Sequence, residues 1–255
     1  MTSLTALLLF AAALGAGALN AIAGGGSFLS FPALIFSGVL PIPANATSTI
    51  ALWPGSLASA GAYREKTPRS ARLVAPLVTA SLLGGAAGAI VLLHTPEALF
   101  MRLVPYLFLA ATLLFTFGGK LSGRNKGLEG RPAHFSSRVI AGVTLTQFII
   151  SIYGGFFGGG MGILMLALLA VVPIGDIHSM NGLKSVLAVA INGSAVVTFI
   201  AAGAVVWPAA LVMILGAVAG GYGGARLAQR LDPRLVRGFV IVLGFAMAGY
   251  FLWRY

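Results

Sequence analysis

The sequence predicts an all-α membrane protein, a helical bundle of two inverted repeats. Each repeat is expected to have a glycine-broken re-entrant hairpin plus three transmembrane helices. Three observations carry that expectation. The chain of 255 residues is 58% hydrophobic and 8% charged, against the roughly 25% charged residues of an ordinary soluble domain. Its cationic side chains gather in three short loops. A set of glycine-rich landmarks then recurs about half a chain later.

The elements follow in order. Leu4–Ala23 is long enough to cross a bilayer, and the first basic residue, Arg64, comes well after it. It therefore reads as membrane-resident rather than as a cleaved signal. The triplet Gly24, Gly25, Gly26 breaks it, since each glycine costs roughly 1 kcal/mol against alanine in a helix interior. Phe28–Leu40 follows, too short at about 1.5 Å per residue for a hydrocarbon core of about 30 Å. Ala44–Tyr63, Leu73–Leu93 and Ala98–Phe117 each have the length of a full crossing. The second half repeats the plan. Val139–Phe157 is long, Gly158, Gly159 and Gly160 interrupt it, and Met161–Val172 is short. Met180–Gly203, Pro208–Ala225 and Leu235–Trp253 are full crossings. Thr95-Pro96-Glu97 and Asp232-Pro233 place a capping residue before a proline expected at the first helical position.

The repeat is explicit in the numbering. Gly84–Gly88 matches Gly220–Gly224 at an offset of 136, and Asn45 matches Asn181 at the same offset. The glycine triplets match at 134 and Thr95-Pro96 matches Asp232-Pro233 at 137. The repeats are thus about 1–118 and 136–255, joined by a basic linker at 119–135.

Charge sets the orientation. The net charge is +11, and thirteen of the sixteen basic residues lie near 64–72, 120–138 and 226–237. Such clusters follow the positive-inside rule and place all three loops in the cytoplasm; nucleic acid is not the partner they imply. The loop matching 64–72 in the second repeat is the uncharged "GAVVWP" at 203–208, while the basic "RLAQRLDPR" matches the outer loop of the first. The second repeat is therefore inverted, as in many secondary transporters, and both termini lie outside a multi-pass cell membrane protein.

Backbone that leaves the helix inside a membrane must be buried in protein or line a water-filled path. The short helices beginning near Ser27 and Met161 direct free N–H groups and a positive dipole end inward, an arrangement suited to an anion. Tight packing of small residues is the competing account, and it is the better one for Gly84–Gly88 and Gly220–Gly224, which sit within full spans.

At these positions the chain resembles the TauE/SafE family of sulfite exporters. The resemblance rests on "AGGGSFLSFPAL" followed by "NATSTIAL", and on "GGFFGGGMGILM" followed by "MNGLKSVLAVAINGSA". It covers nearly the whole chain and implies a permease for small sulfur-containing anions such as sulfite or an organosulfonate.

Polar residues within spans are functional candidates by default. Lys184 shares a helix face with Asn181 three residues before it. An anion would relieve both the ammonium and the helix start; snorkelling to headgroups is the alternative. Ser48 occupies the matching place in the first repeat, within the cluster Asn45, Thr47, Ser48, Thr49, for which capping and substrate contact are both open. Asn20, Gln147, Asn192, Ser194 and Thr198 are expected to bond helix to helix. The candidate substrate site is thus Gly24, Gly25, Gly26, Ser27, Asn45 and Ser48 with Gly158, Gly159, Gly160, Met161, Asn181 and Lys184.

The five acids, Glu65, Glu97, Glu129, Asp176 and Asp232, fall in loops or at span ends, so ion coupling through an intramembrane carboxylate is not expected. Asp176 and His178 are the nearest candidates for coupling, since a histidine can titrate near neutrality, and a polar loop contact is the reading preferred for them. There are no cysteines, which removes disulfides, thiolate metal sites and cysteine nucleophiles. No metal-ligand motif of the H-E-x-x-H kind is present and no serine has an evident base. No catalytic residue, metal or cofactor is expected. The partners are a small anionic substrate and membrane lipid, with a homo-oligomer left open. A channel or porter for another small inorganic ion is the alternative.

Overall fold

The computed structural model describes residues 1–22, 25–62, 64–65, 67–68, 70–122, 136–170, 177–228 and 233–254. Among them every regular element is a helix: α1 (Ser3–Ile22), α2 (Ser27–Phe36), α3 (Pro41–Ala62), α4 (Ala71–Leu93), α5 (Glu97–Ser122), α6 (Ser137–Phe156), α7 (Met161–Leu169), α8 (Ile177–Ala201), α9 (Trp207–Ala228) and α10 (Pro233–Arg254). Helices α2 and α7, which follow the two glycine triplets, are the short ones, at 10 and 9 residues. Gly24, Asp176, Asp232, the His178 side chain and most of the 119–135 linker lie outside the described residues.

Among the described residues, five helices are long and apolar enough to cross a membrane: residues 3–20 of α1, α4, residues 97–117 of α5, α6 and residues 179–201 of α8. In α9 and α10 the described apolar stretches, Trp207–Tyr222 and Gly238–Arg254, are shorter. Helix α3 is not among the five, because Asn45, Thr47, Ser48 and Thr49 make its first turns polar. Outward-facing Leu83, Leu145, Ile149, Val197, Leu215 and Val242 are each more than half exposed. A belt of that kind is stable against hydrocarbon and not against water.

Helix α1 packs along α9, and α6 packs along α4. Glycines make both approaches possible. A Cβ on Gly17 or Gly220 would collide with the backbone of Ala217 or Leu14, and one on Gly88 or Gly155 with the backbone of Ile152 or Gly85. These small-residue seams are what the glycine runs inside the full spans accomplish, since lipid supplies no hydrophobic drive and helices in it associate by close contact. Helix α3 lies against α8 and α9, α4 against α8, and α5 against α10. The Trp53 indole N–H donates to the Val189 carbonyl at 3.2 Å, joining α3 to α8.

One end of the bundle gathers the connections before α3, α5 and α9. The Ile42 N–H donates to Glu97 Oε2 at 3.0 Å, and the Val206 N–H donates to Thr47 Oγ1 at 3.1 Å. At the other end Thr67 lies against Gly182 near the start of α8. Thr95 does not cap α5 as expected. Its hydroxyl donates back to the Val91 carbonyl of α4, and the Pro96 carbonyl accepts the first bond of α5 from Phe100. The carboxylate of Glu97 instead serves the start of α3, where a negative charge meets the positive end of a helix. In the second half Pro233 does open α10.

Candidate functional site

The two glycine turns are built differently. Gly158 and Gly160 have φ of +77° and +75°, a region that glycine enters freely and that strains any residue bearing a Cβ. The Tyr153 hydroxyl of α6 donates to the Gly159 carbonyl at 2.5 Å and holds this turn in place. Gly26 is helical, with φ of −57°. Its lack of a side chain serves proximity instead, because a Cβ there would stand 2.7 Å from the Ala16 carbonyl oxygen of α1.

Both turns rest on the same stretch of α5. A Cβ at Gly160 would stand 3.2 Å from that of Ala111, and one at Gly25 would stand 3.5 Å from the Phe115 ring. Ala111 and Phe115 are one helical turn apart, about 6 Å of rise. The starts of α2 and α7 therefore lie close to one level within the bundle.

The polar candidates divide between these turns. Ser48, buried, meets the Ser30 hydroxyl of α2 at 2.6 Å, and Ser30 also donates to the Gly26 carbonyl at 3.2 Å. Ser48 therefore belongs to the first turn. Lys184, at the matching place in the second half, has its Cδ 3.6 Å from the position of a Cβ on Gly162, in the first turn of α7. Each of the matched residues thus faces the short helix of its own half. Asn45, also buried, reaches the second turn by donating to the Phe156 carbonyl at 3.1 Å. Thr49 bonds back to the Asn45 carbonyl, and Ser185 to that of Asn181. Met161 is buried with its sulfur against Gly154.

The backbone donors are partly committed. The Phe28 and Leu29 N–H groups donate to the Gly25 and Gly26 carbonyls, and Met161 reaches the Gly158 carbonyl only at 3.4 Å. The Ser27 N–H has no backbone acceptor among the described residues. No cluster of three or more metal-ligating side chains occurs among the described residues.

Some polar residues behave differently from expectation. Gln147 does bond across helices, from Nε2 to the Ser81 hydroxyl at 3.0 Å. Ser194 and Thr198 instead bond back to the Ile191 and Ser194 carbonyls of their own helix. Sequence reasoning also missed the aromatic cluster that fills the space beside the turns. Phe31 lies 6.2 Å from Phe157 and 6.1 Å from Phe108, and Phe28 meets Phe108 edge-on at 5.2 Å. The one signal available was the phenylalanine adjoining each triplet, Phe157 before the second and Phe28 one residue after the first. Two crevices of about 500 and 1060 Å³ lie elsewhere, one beside Glu97 and Arg102 and the other between α4 and α6.

Comparison with known proteins covers nearly the whole chain. Residues 9–251 match the family model described as sulfite exporter TauE/SafE. A probable membrane transporter protein of Haemophilus influenzae is 28% identical over 241 residues, 94% of this chain and 91% of the relative. The probable membrane transporter protein YfcA of Escherichia coli K12 is 26% identical over 249 residues, 96% of this chain and 89% of the relative. A third, probable membrane transporter protein ORF9 of a Sinorhizobium species, is 25% identical over 94% of this chain and 89% of its own length. No solved structure matches the chain.

Proposed function

Because this chain belongs to the sulfite exporter TauE/SafE family, we propose that it is a permease for a small sulfur-containing anion, sulfite or an organosulfonate. In this reading the anion is moved by alternating access around the paired glycine turns. The observation that carries it is the meeting of both turns on Ala111 and Phe115 of α5. Two helix starts and the ammonium of Lys184 are thereby drawn towards one level of the bundle. Helix starts receive anions through backbone donors that need no side-chain rearrangement. A lysine adds a compact charge without bidentate geometry.

The inverted repeat enters the same reading, with halves 1–118 and 136–255. The packing supports it: α1 with α9 mirrors α6 with α4, and α3 with α9 mirrors α8 with α4. Each glycine-broken helix therefore packs on the fourth helix of the opposite half. The units that rock against each other would then be composite, α1–α9 and α4–α6, with α3 and α8 between them. The basic loops face the cytoplasm and the termini the outside. In this reading the packed rings of Phe31, Phe108 and Phe157 close the path beside the turns while the carrier is between its open states.

Flux of radiolabelled sulfite into proteoliposomes tests the proposal. Saturable, protein-dependent uptake that other sulfur anions compete for is expected. Flux no greater than in protein-free vesicles, for sulfite and for sulfonates such as sulfoacetate, would overturn it.

A further inference from the structure

The groove of about 1060 Å³ between α4 and α6 plays no part in the transport reading. It is lined by Arg72, Pro76, Leu83, Ser137, Leu145 and Phe148, among others. Its mouth lies at the starts of two helices that begin at the same end of the bundle. Arg72 is the second residue of α4 and Arg138 the second of α6, and both side chains are exposed. Deeper in, the groove is apolar. On its floor the Thr144 hydroxyl is buried without a hydrogen-bond partner, although a helical threonine has its own carbonyl four residues back within reach. The matching places along α9 and α1 are Pro208 and Leu4, so the other half offers no such charged mouth.

We propose that this groove is a specific site for one anionic glycerophospholipid of the leaflet that faces the basic loops. The lipid phosphate sits between Arg72 and Arg138, where fixed cations meet an anionic headgroup. One acyl chain lies along Pro76, Leu83, Leu145 and Phe148. Thr144, about 10 Å below the mouth by helix rise, gives its hydroxyl to the ester carbonyl of that chain. The site differs from a generally basic surface in requiring the groove as well as the charge.

Native mass spectrometry of the full-length protein, titrated in detergent with phosphatidylglycerol or phosphatidylcholine, tests this. One phosphatidylglycerol is expected to be retained in preference to phosphatidylcholine. The double substitution Arg72→Gln, Arg138→Gln should weaken retention about thirtyfold, at roughly fivefold per arginine. Arg64→Gln, an exposed arginine of the neighbouring loop, should leave it unchanged. Ala141→Trp, which fills the groove with both arginines intact, should also weaken it. Equal retention of the two lipids, undiminished retention in the double variant, or an equal loss with Arg64→Gln would each overturn the proposal.

Discussion

The side-chain amide of Asn45 in α3 donates to the Phe156 carbonyl of α6, 3.1 Å away, and ties the third helix to the residue two places before the second glycine triplet. The carbonyl is one of the last four of α6 and has no partner within its helix. Replacing Asn45 with leucine should destabilise the protein by about 1–3 kcal/mol, the range for a buried polar group left unpaired. Unfolding in mixed detergent micelles, followed by tryptophan fluorescence, measures this. An unchanged midpoint would show that the bond contributes nothing to holding the turn.

The glycine triplets call for a paired comparison. Gly160 has φ of +75° and lies 3.2 Å, by its absent Cβ, from Ala111, while Gly142 in α6 has open space around it. Gly160→Ala should cost about 1–3 kcal/mol from backbone strain alone. Gly142→Ala should be neutral or stabilising by up to about 1 kcal/mol, as a helix interior prefers alanine. Both variants are read by the same unfolding assay. Equal effects at the two sites would remove the argument that the second triplet is there for backbone direction.

How much was legible beforehand depends on which force decided each feature. Helix number and type follow from apolar length and glycine placement, and these are local. The interruption at Gly25 and Gly26 and the turn at 158–160 were visible for the same reason. The meeting of the turns on Ala111 and Phe115 was not, because no spacing within one segment encodes which helix a distant turn rests upon. Nor was the division of labour among the glycines, since a left-handed Gly160 and a tightly packed Gly26 are the same letter. Asn45 was marked by its match to Asn181, yet its partner across the bundle, the Phe156 carbonyl, belongs to backbone common to every residue. Thr95 misled because its capping pattern competes with the carbonyl of Val91 one turn behind it, and the threonine took that nearer acceptor.

Topology is testable with single introduced cysteines, because the chain has no native cysteine. Cysteines at Gly123 and Gln229, in the basic segments, should react only with reagent supplied from the cytoplasm. One at Gly203, exposed beside the α8–α9 connection, should react only from outside. Positions 203 and 229 flank the same helix α9, so labelling of both from one side would end the inverted-repeat reading.

Lys184 discriminates most sharply between a binding site and a membrane anchor. It is half-buried with its stem against Gly162 of α7, and it forms no ion pair among the described residues. An ammonium beside the positive end of a helix is unfavourable until an anion arrives. Lys184→Met keeps most of the stem and removes the charge, so the empty protein should be no less stable. Anion affinity should fall by about 1.5–3 kcal/mol, the range for hydrogen bonds to charged groups, or roughly 10- to 150-fold in Kd. Sulfite binding by isothermal titration on reconstituted protein gives the affinity, and the unfolding midpoint without anion gives the control. An unchanged affinity with an unchanged flux would make Lys184 an interfacial anchor and leave the anion to the backbone donors at Ser27 and Met161.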